Sequence, residues 1–323
     1  MAIHVIGVDL GGTNLRCALL ESESLRIICR YETPTMAHEG PEAIIRRLSA
    51  AVTETIRQSG CSAEQVAAIG IGAPGPLDGQ RGIVLSAPNL PGWSNVPLAE
   101  QLQKLCGVRV ILENDANAAG WGEFVAGAGR GCRHMVLMTL GTGVGGAVII
   151  DGRLLTGPDW TAGEIGHVVI VDGGRKCNCG SRGCLEAYAS ATATVARFVE
   201  ALKFGWQSSL AGRPANSITA ADIFDAAAAG DNLALHIVHE TGRYLGLMAA
   251  NLANLLNPER CIFSGGMIKA GNILFDAIRA ECRQRAFPAP AARLQIMPAE
   301  LGEDAGIIGA AACALERLGL RQR

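Results

Sequence analysis

Three cysteines close together in the chain have the spacing of a metal site. Cys177 and Cys179 are only two positions apart, which is too close for a comfortable disulfide, and two glycines before Cys184 let the chain fold back so that three thiolates converge. A closed tetrahedral Zn²⁺ site needs a fourth ligand, and His167 stands upstream, where a β-hairpin could bring it back. Because four protein ligands leave no open coordination position, the predicted zinc is structural. Redox-active thiols are the alternative.

Two glycine-rich loops stand at matching places in the two halves of the chain. Residues 5–14 form a short apolar run that ends in Asp-Leu-Gly-Gly-Thr-Asn, and residues 136–146 repeat the design with Thr-Leu-Gly-Thr-Gly-Val-Gly-Gly. Glycine allows positive φ angles and lets backbone N–H groups approach an anion closely. The duplication therefore predicts that one polyphosphate is held from two sides. The residues predicted to hold it are Asp9, Gly11, Gly12, Thr13 and Asn14 in the first loop and Gly141, Thr142, Gly143, Gly145 and Gly146 in the second.

These loops differ from the common nucleotide-binding motifs. Neither contains the Gly-Lys-Ser/Thr sequence of a P-loop. Each is expected between two strands instead of between a strand and a helix, which disfavours a dinucleotide fold. Thr13 and Thr142 could add hydroxyl contacts to phosphate. Asp9, at the tip of the first strand, could hold Mg²⁺ directly or through water, and capping of the turn by its carboxylate is the alternative.

Three polar residues, Glu113, Asn114 and Asp115, directly follow a predicted strand. The carboxyl ends of strands are where an α/β sheet binds its ligands. A carboxylate there can accept the proton of a sugar hydroxyl as it attacks a γ-phosphate, a reaction that depends mostly on alignment and charge stabilisation. Asp115 is therefore a candidate general base, and Asn114 can hydrogen bond to neighbouring hydroxyls. An Asn-Asp N-cap for the following helix is an equally good interpretation.

Two glutamates, Glu164 and Glu186, flank the cysteine motif, and a zinc ion there would fix both in space. His167 could bind the metal through one ring nitrogen and offer the other to a substrate hydroxyl. The sequence is not His-Glu-x-x-His, so a zinc protease is unsupported. Surface or capping charges are the alternative interpretation of both glutamates.

Strands alternating with helices carry these motifs and predict an α/β fold. We expect strands at 3–8, 15–20, 66–71, 108–112 and 261–264, with a repeat of the opening hairpin from residue 134. Helices are expected at 41–56, 116–126, 186–204, 220–229, 234–256 and 306–318. Residues 72–76, 86–96 and 206–216 carry turn-forming and polar residues and are expected to be irregular.

Length and composition limit the classes of protein that the chain can represent. The 323 residues suggest about two domains, and 28 basic against 30 acidic residues give a net charge of −2, which argues against a nucleic-acid partner. Aromatic residues make up only 4%, so base-stacking surfaces are not expected. No apolar run reaches the ~20 residues of a membrane span, and the N-terminus lacks a secretory pattern. Most of the 11 cysteines are scattered singly, as expected for free buried thiols in the cytoplasm.

Together these motifs resemble the ROK (repressor, ORF, kinase) family of sugar kinases over nearly the whole chain. The most specific match is Ala-Gly-Glu-Ile-Gly-His at 162–167 followed by Cys-Asn-Cys-Gly-Ser-Arg-Gly-Cys-Leu-Glu at 177–186. The resemblance implies a duplicated two-domain α/β fold of the actin-like, hexokinase-like (ribonuclease H-like) type, with a cleft between the domains. It implies one domain at residues 1–116, joined by the C-terminal helix at about 303–323, and a second, zinc-bearing domain at 117–302.

The resemblance also implies a role for each candidate residue. ATP would bind between the domains with its adenosine near Gly265 and Gly266, and Mg²⁺ would accompany it. Asp115 would be the catalytic base. The sugar would be held by Asn114, Asp115, Glu164, His167 and Glu186, and bordered by Gly75 and Asn89. Structural Zn²⁺ would be bound by His167, Cys177, Cys179 and Cys184.

Within the family, residues 72–78 and 87–93 are most similar to the glucokinases, so glucose, phosphorylated at its 6-hydroxyl, is the expected substrate. The alternatives are N-acetylmannosamine or another hexose, polyphosphate as donor, and a sugar-responsive transcriptional regulator. Regulators of the family carry a helix-turn-helix domain first, for which a strand starting at Ile3 leaves no room. Family members are commonly dimers, so a homodimer or higher homo-oligomer is expected. One departure from the family pattern is Ala147, where many members carry a third consecutive glycine.

Overall fold

Each half of the chain folds around a five-stranded mixed sheet. The computed structural model describes residues 4–87 and 89–320. The first half contains β1 (His4–Leu10), β2 (Asn14–Glu21), β3 (Ile27–Pro34), α1 (Pro41–Ser59), β4 (Val66–Ala73), β5 (Leu77–Asp78), β6 (Ile83–Ser86), β7 (Ser94–Val96), α2 (Leu98–Cys106), β8 (Val110–Asn114) and α3 (Asp115–Ala126). The second half contains β9 (Met135–Leu140), β10 (Val144–Ile150), β11 (Arg153–Leu154), α4 (Glu186–Ala189), α5 (Ala191–Lys203), α6 (Ala220–Ala228), α7 (Asn232–Leu256), β12 (Arg260–Ser264), α8 (Asn272–Arg285), α9 (Pro288–Arg293), β13 (Gln295–Pro298) and α10 (Ala305–Arg317).

The two sheets share one topology, which confirms the duplication predicted from the glycine loops. Their strand orders are β3-β2-β1-β4-β8 and β11-β10-β9-β12-β13. In each sheet the opening hairpin is antiparallel, and its first strand pairs in parallel with a strand that comes later in the chain. The two glycine loops are the turns of these hairpins.

Parallel pairing brings the predicted site residues to one edge of each sheet. In the first sheet β1, β4 and β8 are parallel neighbours, so the residues that follow them, Gly11, Gly75 and Asp115, emerge on the same side. In the second sheet β9 and β12 are parallel, and Gly141 and Gly265 follow their ends. These edges are where parallel α/β sheets place their ligand sites.

The helices follow the apolar spacing that predicted them. Pro41 is the first residue of α1, and Ile44, Leu48 and Val52 are buried along one face. The helix ends at Gly60, whose φ of 74° is the left-handed conformation that glycine adopts without steric cost. In the part of the chain that the structure describes, no helix combines the length and hydropathy needed to cross a membrane.

The sequence prediction was wrong at three places. Residues 86–96 are not wholly irregular, because Ser86 ends β6 and Ser94–Val96 forms β7 in a small sheet of order β5-β6-β7. The helix expected at 186–204 is two helices, since Ser190 is extended and its hydroxyl caps α5 by accepting the Ala193 N–H at 3.1 Å. Several elements were not predicted at all, among them α2, α8 and α9 and the edge strands β3, β11 and β13.

Helices α3 and α10 pack against each other and on the first sheet. A Cβ added at Gly309 in α10 would clash with the Ala118 carbonyl of α3, and one added at Gly70 in β4 would clash with the Ala310 carbonyl. Only glycine allows backbones to approach this closely. The C-terminal helix thus lies beside strands from the start of the chain.

The contact between Gly120 in α3 and Ala147 in β10 explains the departure at residue 147. The Ala147 side chain is fully buried, and a Cβ added at Gly120 would clash with its methyl group. We expect Gly120→Ala to destabilise the protein by about 1–3 kcal/mol through overpacking, despite the better helix propensity of alanine. The double variant with Ala147→Gly should recover most of that loss. Urea unfolding monitored by circular dichroism tests both, and an equally unstable double variant would contradict the explanation.

Candidate active site

A cleft of about 620 Å³ opens between the strand ends of the two halves. Every residue predicted to border the sugar lines it: Gly75, Asn89, Asn114, Asp115, Glu164, His167 and Glu186. Among the predicted nucleotide contacts, Gly141, Thr142, Gly143, Gly145, Gly146 and Gly265 line it, whereas Asp9, Gly11, Gly12, Thr13, Asn14 and Gly266 do not. The first loop lies next to a residue that does line the cleft, because a Cβ added at Gly12 would lie 3.2 Å from the Asn89 Cβ.

The turn from β8 into α3 positions Asn114 and Asp115. Asn114 is the N-cap of α3, and its Oδ1 accepts the N–H groups of Ala116 at 3.0 Å and Asn117 at 3.1 Å. Its Nδ2 donates to the Gly75 carbonyl at 3.4 Å. Asp115 is the first residue of the helix, and its Oδ1 accepts the Ala116 N–H at 2.8 Å. Asn114 therefore caps the helix as well as lining the cleft. Asp115 lines the cleft and is not the N-cap residue.

The surroundings of Asp115 suit it to accept a proton. Burial raises the pKa of its carboxyl to about 6, the Ala116 N–H acts in the opposite direction, and the negative charges of Asp9 and Glu164 raise it further. A general base is most effective when its pKa lies near the pH at which it works. The position therefore supplies a carboxylate that is ionised at neutral pH and more basic than an ordinary aspartate.

At positions 143, 145 and 146 the second glycine loop has no space for a larger side chain, and its backbone conformation does not require glycine. None of Gly141, Gly143, Gly145 and Gly146 has a positive φ, which corrects the conformational reason given by the sequence. A Cβ at Gly143 would clash with the Glu186 carboxylate, and one at Gly145 would lie 2.5 Å from the Thr139 hydroxyl. Glu186 Oε2 in turn accepts the Val144 N–H at 3.0 Å. The loop and Glu186 thus fix each other's position.

The first glycine loop is a tight hairpin turn. The Gly11 N–H donates to the Asn14 carbonyl at 3.0 Å, and the Thr35 hydroxyl donates to the Gly11 carbonyl at 2.6 Å. Asp9 lies just before the turn, and Arg16 Nη1 is 3.7 Å from its Oδ2. Burial raises the pKa of Asp9, whereas the Arg16 charge lowers it. Asp9 beside the first loop and Asp115 in the cleft offer the carboxylate oxygens that Mg²⁺ prefers, so these residue types fit that ion.

The cysteine motif fits a tetrahedral metal. The ligand atoms of His167, Cys177, Cys179 and Cys184 all lie within 4.8 Å of one another. The Cys177 Sγ is 3.7 Å from His167 Nδ1, and the Cys179 and Cys184 sulfurs are 3.7 Å apart. A tetrahedral Zn²⁺ with Zn–S bonds of ~2.3 Å holds its sulfurs ~3.7–3.8 Å apart. The donor set and its spacing therefore match zinc. Antiparallel β-bridges pair Val169 with Cys184 and Lys176 with Arg182. They bring the cysteines back beside His167, as the expected β-hairpin required.

Several cleft residues lay outside the sequence prediction. Asn117, Thr139, Trp160, Thr161 and Ala162 also line the cavity. The run 160–162 directly precedes Gly163-Glu164, so its neighbours in the sequence could have indicated it. Asn117 is 2% exposed, and its Oδ1 has no hydrogen-bond partner among the described residues.

The chain is similar over nearly its whole length to known sugar kinases. The glucokinase of Thermotoga maritima is 43% identical to this chain, over 98% of this chain and 99% of its own. The N-acetylmannosamine kinase of Shigella flexneri is 34% identical, over 95% and 97%. The crystal structure of a ROK family glucokinase from Streptomyces griseus in complex with glucose and AMPPNP superposes with a TM-score of 0.82 at 36% identity, covering 97% of this chain and 99% of that one.

The family assignment follows from the extent of these matches. The fold likeness spans almost the entire chain and confirms the predicted hexokinase-like α/β fold class. The ROK family profile matches residues 5–317, which include both glycine loops, the Asn114-Asp115 turn and the cysteine motif. The chain therefore belongs to the ROK family.

Proposed function

We propose that this protein is an ATP-dependent sugar kinase that phosphorylates glucose at its 6-hydroxyl. The observation that carries the proposal is the position of Asp115. Its desolvated carboxylate shares one cleft with the glycine loop at 141–146 and with the polar side chains of Glu164, His167 and Glu186. Curated glucokinases at high identity and coverage support glucose as the acceptor.

In the proposed reaction the sugar hydroxyl attacks the γ-phosphorus of ATP. Asp115 takes the hydroxyl proton, the new oxygen–phosphorus bond forms, and the bond to the β-phosphate oxygen breaks, so that ADP leaves with the electron pair. Backbone N–H groups of the two glycine loops would stabilise the charge on the phosphates. Mg²⁺, held by Asp9 directly or through water, would neutralise further charge. Adenosine would lie near Gly265 and Gly266.

The zinc site would hold the sugar side of the cleft. His167 is a predicted ligand and also lines the cleft, and Glu186 Oε1 lies 3.8 Å from the Cys177 sulfur. Zinc on these ligands would fix the hairpin. It would thereby also fix the side chains of His167 and Glu186, which are proposed to contact sugar hydroxyls. We assign Asn114, Glu164, His167 and Glu186 to those hydroxyls, with Gly75 and Asn89 at the border.

The remaining sequence expectations complete the proposal. We keep a domain of residues 1–116 with 303–323 and a domain of 117–302, since α10 packs on the first sheet. None of the eleven cysteines forms a disulfide, which supports the proposed cytoplasmic location. A homodimer or higher homo-oligomer without nucleic-acid or membrane partners remains our expectation.

The proposed substrate is tested by ADP release across a sugar panel. Glucose, mannose, fructose, allose, N-acetylglucosamine and N-acetylmannosamine are each supplied with ATP, and the product of the best substrate is identified by NMR. We expect glucose to have the highest kcat/KM and to yield glucose 6-phosphate. A preference for N-acetylmannosamine would favour the alternative kinase, turnover with polyphosphate would extend the donor range, and no turnover with any hexose would favour a regulator.

The pH dependence of the reaction tests the base. Since protonated Asp115 cannot accept a proton and its pKa is about 6, we expect kcat/KM for glucose to fall about tenfold per pH unit below about pH 6. Far-ultraviolet circular dichroism at each pH checks that the enzyme stays folded. A folded enzyme whose kcat/KM stays constant down to pH 5 would contradict the assignment.

A further inference from the structure

We propose that Arg317 and Trp160 act together as positioning residues, which keep the base and the sugar-binding loop at a fixed separation. This inference rests on the proposed kinase function. Arg317 is the last residue of α10, and Trp160 lies in the loop that leads to Glu164. No motif marks Arg317 in the sequence, and nothing in the proposed reaction requires it to touch a substrate.

Arg317 binds Glu113, the residue just before the Asn114-Asp115 turn, which is called the base turn below. Its guanidinium donates to the Leu112 carbonyl at 2.8 Å and pairs with the Glu113 carboxylate. The Glu113 side chain is only 2% exposed, so its charge has to be paired within the protein. Glu113 Oε1 also accepts the Asn114 N–H and the Asn117 Nδ2, each at 3.0 Å. The arginine therefore stabilises the buried carboxylate around which the base turn is built.

The same guanidinium supports Trp160. Its central carbon lies 4.2 Å from the centroid of the Trp160 ring, within the range of a cation–π contact. The ring also lies against the turn after β5, since a Cβ added at Gly79 would lie 2.5 Å from the Trp160 Cε3. Trp160 has a φ of 58°, which is uncommon for a bulky residue and persists only where the surroundings hold it. Arg317 and the Gly79 turn are those surroundings.

The contacts continue into the sugar side of the cleft. Trp160, Thr161, Ala162 and Glu164 all line the cavity. Asn117, which donates to Glu113, also lies next to this loop. Its unpartnered Oδ1 is 3.6 Å from where a Cβ on Gly163 would lie. One continuous set of contacts thus joins the turn that carries Asp115 to the loop that carries Glu164. Displacing reacting groups by about 1 Å costs on the order of 10²-fold in rate, so this separation matters for turnover.

A double-mutant cycle tests the proposal, with Trp160→Leu, Arg317→Lys and the double variant. Lysine keeps a positive charge beside Glu113, but it lacks the planar guanidinium. It therefore cannot stack on the Trp160 ring and also donate hydrogen bonds to both the Leu112 carbonyl and the Glu113 carboxylate. We expect each single variant to lower kcat for glucose about 10- to 30-fold, with KM for ATP changed less than twofold. The double variant should be no more than about threefold slower than the slower single variant, because both substitutions break one unit.

The chain supplies a matched control for the arginine. Arg279 also donates to a backbone carbonyl, that of Ile296, and its guanidinium lies 5.4 Å from the Phe275 ring centroid, but it does not line the cleft. Arg279→Lys should leave kcat within twofold of the parent. Trp160→Phe, which keeps an aromatic ring for the guanidinium, should recover most of the rate lost in Trp160→Leu. A purely structural role for Trp160 would lower the folded fraction without changing kcat per folded molecule.

The outcomes separate this inference from the proposed function. If the parent protein does not phosphorylate glucose, the proposed function fails. If the parent is active but both single variants keep kcat within twofold, or if the double variant loses the full product of the single effects, the positioning unit is wrong. If Trp160→Leu does not fold, Arg317→Lys is measured alone, and a kcat within twofold of the parent then overturns the positioning unit.

Discussion

Replacing Asp115 with asparagine is expected to lower kcat for glucose phosphorylation by about 10²–10⁴-fold while glucose still binds. Asparagine has nearly the same shape and can keep the 2.8 Å hydrogen bond from the Ala116 N–H. It cannot accept a proton at neutral pH. Initial rates of ADP release give kcat, and glucose binding is measured by isothermal titration calorimetry. The expected result is a nearly inactive enzyme with a glucose Kd within about threefold of the parent.

The same variant should be more stable than the parent at pH 8. Burial raises the pKa of Asp115 to about 6 in the folded protein, while the unfolded chain titrates near 3.9. A raised pKa means that the stability present below the unfolded value is lost as the pH rises through the folded one. About two pKa units correspond to roughly 2–3 kcal/mol. Asp115→Asn should therefore gain roughly that amount at pH 8 and very little at pH 4, as measured by urea unfolding at both pH values.

Two results would contradict the role of Asp115. Turnover within a few-fold of the parent would show that another group accepts the proton. Lost activity together with lost stability at pH 8 would show that the residue is structural. Asn114→Ala is the comparison for a structural role, because Asn114 caps α3 through two backbone N–H groups. That variant should lose about 1 kcal/mol of stability at both pH values.

Loss of the zinc site is the second change with a large expected effect. Cys179 is the exposed member of the cluster, so Cys179→Ser removes a ligand without leaving a cavity in the core. We expect the variant to lose stoichiometric zinc, which mass spectrometry under native conditions measures, and to show at least a tenfold higher KM for glucose. The reason is that His167 is itself a predicted ligand and that Glu186 Oε1 lies 3.8 Å from the Cys177 sulfur. The KM for ATP should change much less.

The control for the zinc prediction is another partly exposed thiol. Cys29 lies in β3 and contacts the Gln58 side chain, far along the chain from the metal cluster. Cys29→Ser should keep both zinc and the parent KM for glucose. A purified parent that contains no zinc and is fully active would overturn the metal assignment. A zinc-free Cys179→Ser enzyme with an unchanged glucose KM would overturn the positional role.

The sequence predicted the parts of the site that lie at strand ends. Gly11 and Asp115 follow two apolar runs, and parallel pairing of buried strands brings such positions to one edge of the sheet. The cysteine motif could be predicted for a similar local reason, since its eight residues converge within one hairpin. The missed strands β3 and β13 lie at the edges of the two sheets. Both strands contain no fully buried residue, so neither carries the long apolar run that marks a central strand.

The reasons for individual residues were harder to predict than their positions. The glycines at 143 and 145 were expected to adopt positive φ angles, but neither does. Glycine is required there because Glu186 and Thr139 leave no space for a side chain. Such a reason is a contact between distant segments, which local sequence does not contain. Ser190 shows the same limit, since a hydroxyl that caps a helix interrupts an otherwise continuous helical pattern.

The amino-acid order by itself determined the chemistry of this protein: a carboxylate after a buried strand, two glycine turns in duplicated hairpins, and a set of thiols and an imidazole spaced for a metal. These are local patterns, set by side-chain type and by distances of a few residues. Only the tertiary structure decided that Arg317 pairs with Glu113, 204 positions away in the chain, and supports Trp160. Burial of Glu113 requires a cation, and packing of α10 on the first sheet decides which cation reaches it.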